Sequence, residues 1–223
     1  MIGIIVAMQC EADILLDKME INMVKTFCDK PIYEGVLFEK EVVVILCGIG
    51  KVNAACGAQM AIDLYHVQSL INLGVAGGIG DSVEVAGVYQ IDKAVQYDFD
   101  LAGLNGTKIG TLDEFKENYL SLATLRPVIV PIRALATGDR FNDDPNDHDL
   151  IENYMKADIR DMEGGAIAQV AVHAGVPLYS WKAISDKYGS GSSFEQFNAN
   201  KTRALKNLQD KLEELFFLLP DEE

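Results

Sequence analysis

The sequence predicts an α/β fold, a sandwich of helices over a buried sheet. Three observations predict it. Apolar and β-branched runs of strand length alternate along the chain with stretches of helical apolar spacing. Glycine clusters punctuate the ends of those runs. Acidic residues follow several of the runs, at the carboxyl ends of strands where α/β sheets bind ligands.

Residues 2–8 are almost wholly apolar and read as a first strand, and Ile14, Leu15 and Met19 give 11–19 one apolar helical side. The runs 32–38 and 40–47 read as a hairpin, the second carrying Val42, Val43, Val44 and Ile45. Gly48-Ile49-Gly50-Lys51 turns into a small-residue helix over 52–65. A short buried strand over 69–74 ends in a glycine-rich turn, and 87–94 and 133–137 are also strand-like. The run 155–162 leads to Glu163, and an alanine-rich helix over 164–173 can pack closely on a sheet. The apolar run 176–184 ends at Ser185-Asp186. A long amphipathic helix over 194–219 closes the chain, with Phe197, Leu205, Leu208, Leu212, Leu215 and Leu219 near helical spacing. The stretches 103–110 and 190–193 suit mobile loops. No low-complexity linker or repeat divides the 223 residues, which read as a single domain over 1–223.

Composition narrows the function classes. The formal charge of −15 opposes broad contact with nucleic-acid phosphates. The excess acids gather at Asp143-Asp144, Asp147, Asp149 and the tail 221–223, where solubility accounts for them. No apolar run is long enough to span a membrane, and the N-terminus lacks a basic leader. Cys10, Cys28, Cys47 and Cys56 show no CxxC spacing, which predicts reduced, mostly buried thiols in a cytoplasmic protein. The three histidines are scattered, so no metal site is expected, and no cofactor either.

The glycine clusters Gly48-Ile49-Gly50-Lys51 and Gly74-Val75-Ala76-Gly77-Gly78-Ile79-Gly80 do not make a P-loop. The second is followed by strand-like spacing and not by the helix a dinucleotide turn requires, which disfavours a nicotinamide-dependent oxidoreductase. Close backbone packing, or a groove where amides approach a small ligand, are the remaining readings. Asp186 alone reads first as a turn or helix cap. Glu11 and Glu163 are placed in the same way after strands, and three such carboxyls could converge on one pocket.

Ala7-Met8 with Glu11, Gly48-Ile49-Gly50-Lys51-Val52, Asn72 with Gly74 and Ala76-Gly77-Gly78, Thr137-Gly138-Asp139 with Phe141, Met162-Glu163 and Ala183-Ile184-Ser185-Asp186 stand in one order. In that order the chain resembles the nucleoside phosphorylase superfamily, and within it the 5′-methylthioadenosine/S-adenosylhomocysteine nucleosidases. The resemblance implies a three-layer α/β/α sandwich around a central twisted mixed β-sheet. It implies hydrolysis of the N-glycosidic bond of a 5′-modified adenine nucleoside, a reaction in which two carboxyl functions serve as in glycoside hydrolysis. By the same resemblance Asp186 is the general acid to adenine N7, oriented by Ser185, and Glu11 activates the water. Glu163 takes hydrogen bonds from ribose hydroxyls, and Met162 packs on the ribose. Phe141 and Asn142 lie where the family holds adenine, Phe194 where an aromatic closes over the purine, and Ile49 near the 5′ substituent. Val75, Ala76 and Gly77 line the groove. Core packing is the competing reading for the apolar positions.

Two residues depart from the family pattern. Val75 replaces a small hydroxyl residue, and Lys182 replaces an arginine near the water; Arg and Lys differ in donor geometry. The family also implies a small-molecule nucleoside as the partner, and a homodimer. The alternatives are a phosphorylase using phosphate, which Asn72 and Val75 disfavour because they replace an arginine and a serine of phosphorylases, and a non-catalytic nucleoside-binding protein on the same fold.

Overall fold

The computed structural model describes residues 1–220; the acidic tail 221–223 lies outside them. β1 (Ile2–Val6) and α1 (Gln9–Leu16) open the chain, followed by an antiparallel meander of β2 (Glu20–Phe27), β3 (Lys30–Leu37) and β4 (Lys40–Leu46). Next come α2 (Lys51–Tyr65), β5 (Ser69–Gly78) and β6 (Val88–Gln96), then a short α3 (Ala102–Asn105) and β7 (Leu120–Ser121). β8 (Ile132–Thr137) and α4 (Pro145–Asp149) run into a π-helical turn, Leu150–Met155. β9 (Ile159–Asp161), α5 (Gly164–Ala174), β10 (Leu178–Lys187) and α6 (Ser193–Phe217) complete the fold.

The strands form one mixed sheet in the order β10-β6-β8-β9-β5-β1-β4-β3-β2, with β7 on β6. β10 also pairs with β5, so β5, β9, β8, β6 and β10 close into a ring. Parallel pairing joins β4, β1, β5 and β10, whose carboxyl ends therefore open in one direction.

Both faces of the central strands are buried, which is why they read as continuous apolar runs and not as an alternating pattern. Ile2, Ile4 and Val6 of β1 face one core with α1 and α6, while Ile5 faces the other with α2 and α5. In the first core Leu205, Leu208, Leu212 and Leu215 of α6 pack toward Trp181, whose ring meets Phe216 at a centroid distance of 5.7 Å. In the second, Ala54, Ala58 and Ala61 of α2 pack with Ile167 and Ala171 of α5, small residues that let the helices approach the sheet closely.

Several expectations change. The segment 20–27 is a strand that the sequence reading did not assign. It is exposed along its whole length, so no burial pattern marks it. The glycine-rich stretch after residue 74 is not a turn: Gly74–Gly78 are part of β5, and the turn begins at Gly80. Asp186 lies inside β10, not beyond it, at a β-bulge where the register slips between Ile184 and Asp186. The four thiols are free, but only Cys47 is buried; Cys28 sits on the turn between β2 and β3, and Cys56 faces outward on α2. The stretch 190–193 leads directly into α6, whose Ser192 caps the helix by accepting from the Glu195 N–H.

Candidate active site

Glu11 stands in the first turn of α1, just past the end of β1. Its Oε2 accepts the N–H groups of Ala7 (3.1 Å) and Met8 (3.0 Å), reaching back over the open helix end. Its Oε1 accepts the Val75 N–H at 2.9 Å, which ties α1 to β5. A Cβ on Gly74 would overlap Glu11 Oε1, so glycine at that position admits the carboxyl. Burial raises the pKa of Glu11, against the lowering influence of Lys182 and these backbone donors.

Glu163 is the residue before α5. Its Oε1 accepts the Gly50 N–H at 2.8 Å, linking α5 to the start of α2, and its Oε2 takes the Met162 N–H at 3.3 Å. Burial, with the Asp161 carboxylate beside it, pushes its pKa up to about 7. Asp161 itself is saturated. Its Oδ1 accepts Thr137 Oγ1 at 2.6 Å, and its Oδ2 accepts the Gly164 N–H at 2.8 Å and faces Lys182 Nζ at 2.9 Å.

Asp186 and Ser185 come from the bulge in β10. Ser185 Oγ donates to Asp186 Oδ1 at 2.7 Å, which fixes the carboxyl plane. Burial raises the Asp186 pKa, opposed by the Ser185 hydrogen bond and the charge of Arg160. Arg160 reaches Asp186 because β5 lies between their strands. Gly77 pairs with Asp186 on β10 and with Arg160 on β9. A Cβ there would sit 3.0 Å from Asp186 Oδ2 and 3.1 Å from Arg160 Nε, so the glycine lets the two side chains meet.

Glu11, Glu163, Ser185 and Asp186 share the wall of one cavity of about 290 Å³. Met162, Val75, Ala76 and Gly77 also line it, and Ile49, Phe141 and Phe194 stand at its rim, all three exposed. Such an apolar hollow with a few convergent polar groups is the ordinary form of a small-molecule site. Two of the expected residues are not on this wall. Asn142 closes the turn into α4, donating to Asp147 Oδ2 at 2.9 Å and accepting the Asp144 N–H at 3.2 Å. Lys182 lies behind the wall in its ion pair with Asp161. Burial works against its charge, but Asp161 and Glu163 outweigh that and hold the ammonium above its ordinary range.

The wall also contains residues to which the sequence analysis gave no site role: Ala7, Met8, Asp161, Phe197 and Arg160. Phe197 stands one helical turn after Phe194 and meets Phe141 edge-on at 5.9 Å, a spacing legible once Phe194 is placed. Arg160 carried no signal, since nothing local distinguishes it from a surface arginine. A larger open groove of about 680 Å³ runs along β6 and β8, past Lys93, Arg133 and Asp158, but touches none of the three acids.

Known proteins resemble the chain along nearly its whole length. A family model described as the Phosphorylase superfamily matches residues 1–216. The 5′-methylthioadenosine/S-adenosylhomocysteine nucleosidase of Bacillus cereus (strain G9842) is 34% identical over 212 residues, covering 88% of this chain and 90% of that protein. A solved nucleosidase of the same description from Colwellia psychrerythraea 34H, in complex with adenine, superposes with a TM-score of 0.88 at 27% identity, over 97% of this chain and 95% of that one. The futalosine hydrolase of Helicobacter pylori strain 26695 shares the fold, with a TM-score of 0.89 at 22% identity over 98% and 97% of the two chains.

Proposed function

The chain belongs to the phosphorylase superfamily and, within it, to the 5′-methylthioadenosine/S-adenosylhomocysteine nucleosidases, and on that premise we propose that Asp186, Glu11 and Glu163 hydrolyse the N-glycosidic bond of a 5′-modified adenine nucleoside. Its activity is that of an N-glycosidase of this type. The observation that carries the assignment of residues is the convergence of three buried carboxyls on one cavity.

In this reading Asp186 donates its proton to purine N7 as the C1′–N9 bond breaks and its electron pair moves to the base. A raised pKa suits that task, because the group must hold a proton near neutral pH. Ser185 holds the carboxyl for the transfer. Glu11 takes a proton from water as its oxygen bonds to C1′, and burial makes it the stronger base. Glu163 receives the ribose hydroxyls and faces the positive charge that develops on the sugar. Phe141, Phe194 and Phe197 cover the base and keep water from it.

Water is favoured over phosphate as the nucleophile. Phosphate needs converging cationic or hydroxyl donors. Among the described residues, Arg160 is the only basic one on the wall, and it sits by Asp186. Asn72 is buried in β5 and spends its side chain on Ile5 O and Ser180 Oγ. A homodimer belongs to the same proposal, supported by exposed Ile49 and Val52 at the start of α2, beside the cavity.

The test is release of adenine from methylthioadenosine, S-adenosylhomocysteine and 5′-deoxyadenosine, with and without phosphate. Adenine and the free 5′-modified ribose should form at the same rate in both conditions. Ribose 1-phosphate products would replace hydrolysis by phosphorolysis, and binding without adenine release would make the protein a nucleoside-binding module.

A further inference from the structure

Arg160 and Asp186 both line the cavity, and among the described residues each has a buried side-chain atom without a hydrogen-bond partner, Nη1 and Oδ2. Arg160 is 5% exposed and Asp186 1%. The guanidinium donates once, from Nη2 to Ser193 Oγ at 3.2 Å, and the same nitrogen lies 3.9 Å from Asp186 Oδ2, beyond hydrogen-bond reach. A buried guanidinium nitrogen left without an acceptor is costly, so a ligand acceptor at this point would be strongly favoured.

The chemistry of the two groups says which acceptor. Arginine has donors only. Asp186, as the acid, presents a donor to N7. The pair therefore offers two adjacent donors to one edge of the base. A 6-oxopurine presents two acceptors along that edge, N7 and O6, whereas adenine presents the N7 acceptor beside an N6 donor. Arginine is the residue most often found on the N7/O6 edge.

We infer that the base pocket also takes nucleosides of 6-oxopurines, with Arg160 donating to O6 while Asp186 donates to N7. The inference rests on the assignment of Asp186 as the acid at N7. The bond changes are those of hydrolysis. The C1′–N9 bond breaks with its electron pair going to the base, N7 gains the Asp186 proton, and the water oxygen bonds to C1′ as Glu11 takes its proton. Both carboxyls then return to their starting states by exchange with water. Arg160 adds a charge-assisted hydrogen bond to the oxygen on which the departing base accumulates electron density. Adenine uses the same edge less completely, since its amino group meets a second donor.

The experiment compares 5′-methylthioinosine with 5′-methylthioadenosine, which differ only in the base, on the wild-type protein and on Arg160→Met. Methionine keeps an apolar stem against Gly77 and removes the donors. Chromatography separates hypoxanthine from adenine. The expected wild-type ratio of kcat/KM, inosine over adenosine form, is one-tenth or higher, and R160M should lower that ratio tenfold or more. A purely structural arginine would depress both substrates together and leave the ratio in place. A wild-type ratio below one-tenth overturns the inference, as does an R160M ratio within tenfold of wild type; should R160M not fold, the wild-type ratio decides. Adenine release without hypoxanthine release overturns this inference and leaves the nucleosidase reading standing, whereas release of neither base overturns both.

Discussion

As the proposed acid, Asp186 has to keep a proton in a dry site while Ser185 and Arg160 both favour its ionised form. Burial outweighs them, and the raised pKa suits that proposed role. Asp186→Asn keeps the size and a donor but has no proton to give. Adenine release should fall by about 100-fold or more in kcat, with KM changed only a few-fold, as steady-state kinetics would show. Glu163 makes a different prediction, one about stability. Its pKa rises from an ordinary 4.5 to about 7 through burial and the neighbouring Asp161 carboxylate. Between those pH values the folded protein retains a proton that the unfolded chain has lost. The stabilisation from this group is therefore full below pH 4.5 and lost as pH rises through 7, an effect of about 3 kcal/mol at most. Denaturant titrations at pH 5 and pH 8 should show a smaller loss in Glu163→Gln than in wild type. The meeting of Glu11, Glu163 and Asp186 on one wall was legible, since acids after buried runs stand out; Ser185 entered only through the family resemblance. Arg160 was not, because its place depends on β9 pairing antiparallel with β5 at Gly77, a contact between residues far apart in sequence.

Among the elements, α6 carries the largest share of the first core. Leu208 and Leu212 are fully buried and pack on the sheet that holds Asp186. Leu212→Ala should cost about 2–5 kcal/mol and lower the melting temperature by about 10 °C, measurable by calorimetry. Activity at low temperature should persist, because the helix contributes Phe194 and Phe197 to the wall from its other end. Helices were readable from their periodicity, and the central strands from continuous apolar runs of strand length. β2 was not: its alternation, Glu20-Ile21-Asn22-Met23, is short and broken by a register shift after Ile21. The Gly74–Gly78 stretch misled for a physical reason. Glycine disfavours strands on its own account, yet here its lack of a side chain is what lets Glu11, Asp186 and Arg160 reach across β5.

For the whole molecule, the net charge of −15 keeps copies apart, so any self-association must come from a local apolar patch. Val52 is 82% exposed on α2, with Ile49 just before it. Lys51 Nζ pairs with Asp98 Oδ1 at 2.6 Å, which ties the segment after β6 to the start of α2. Light scattering should give twice the 24.4 kDa of one chain. Val52→Glu should shift the mass to that of a single chain, because a charge at the patch would have to be buried without a partner. The layered architecture was legible from the alternation of runs. The closing of five strands into a ring was not, since β10 pairs on both sides through backbone groups that no side-chain pattern reports.

Glu11 and Glu163 are held by main-chain N–H groups of Ala7, Met8, Val75 and Gly50. Every residue except proline supplies that donor. The side chains of Met8 and Val75 can therefore change by mutation while the two carboxyls stay anchored. A lineage carrying this scaffold could reshape the lining of its cavity one residue at a time while both carboxyls keep their anchors.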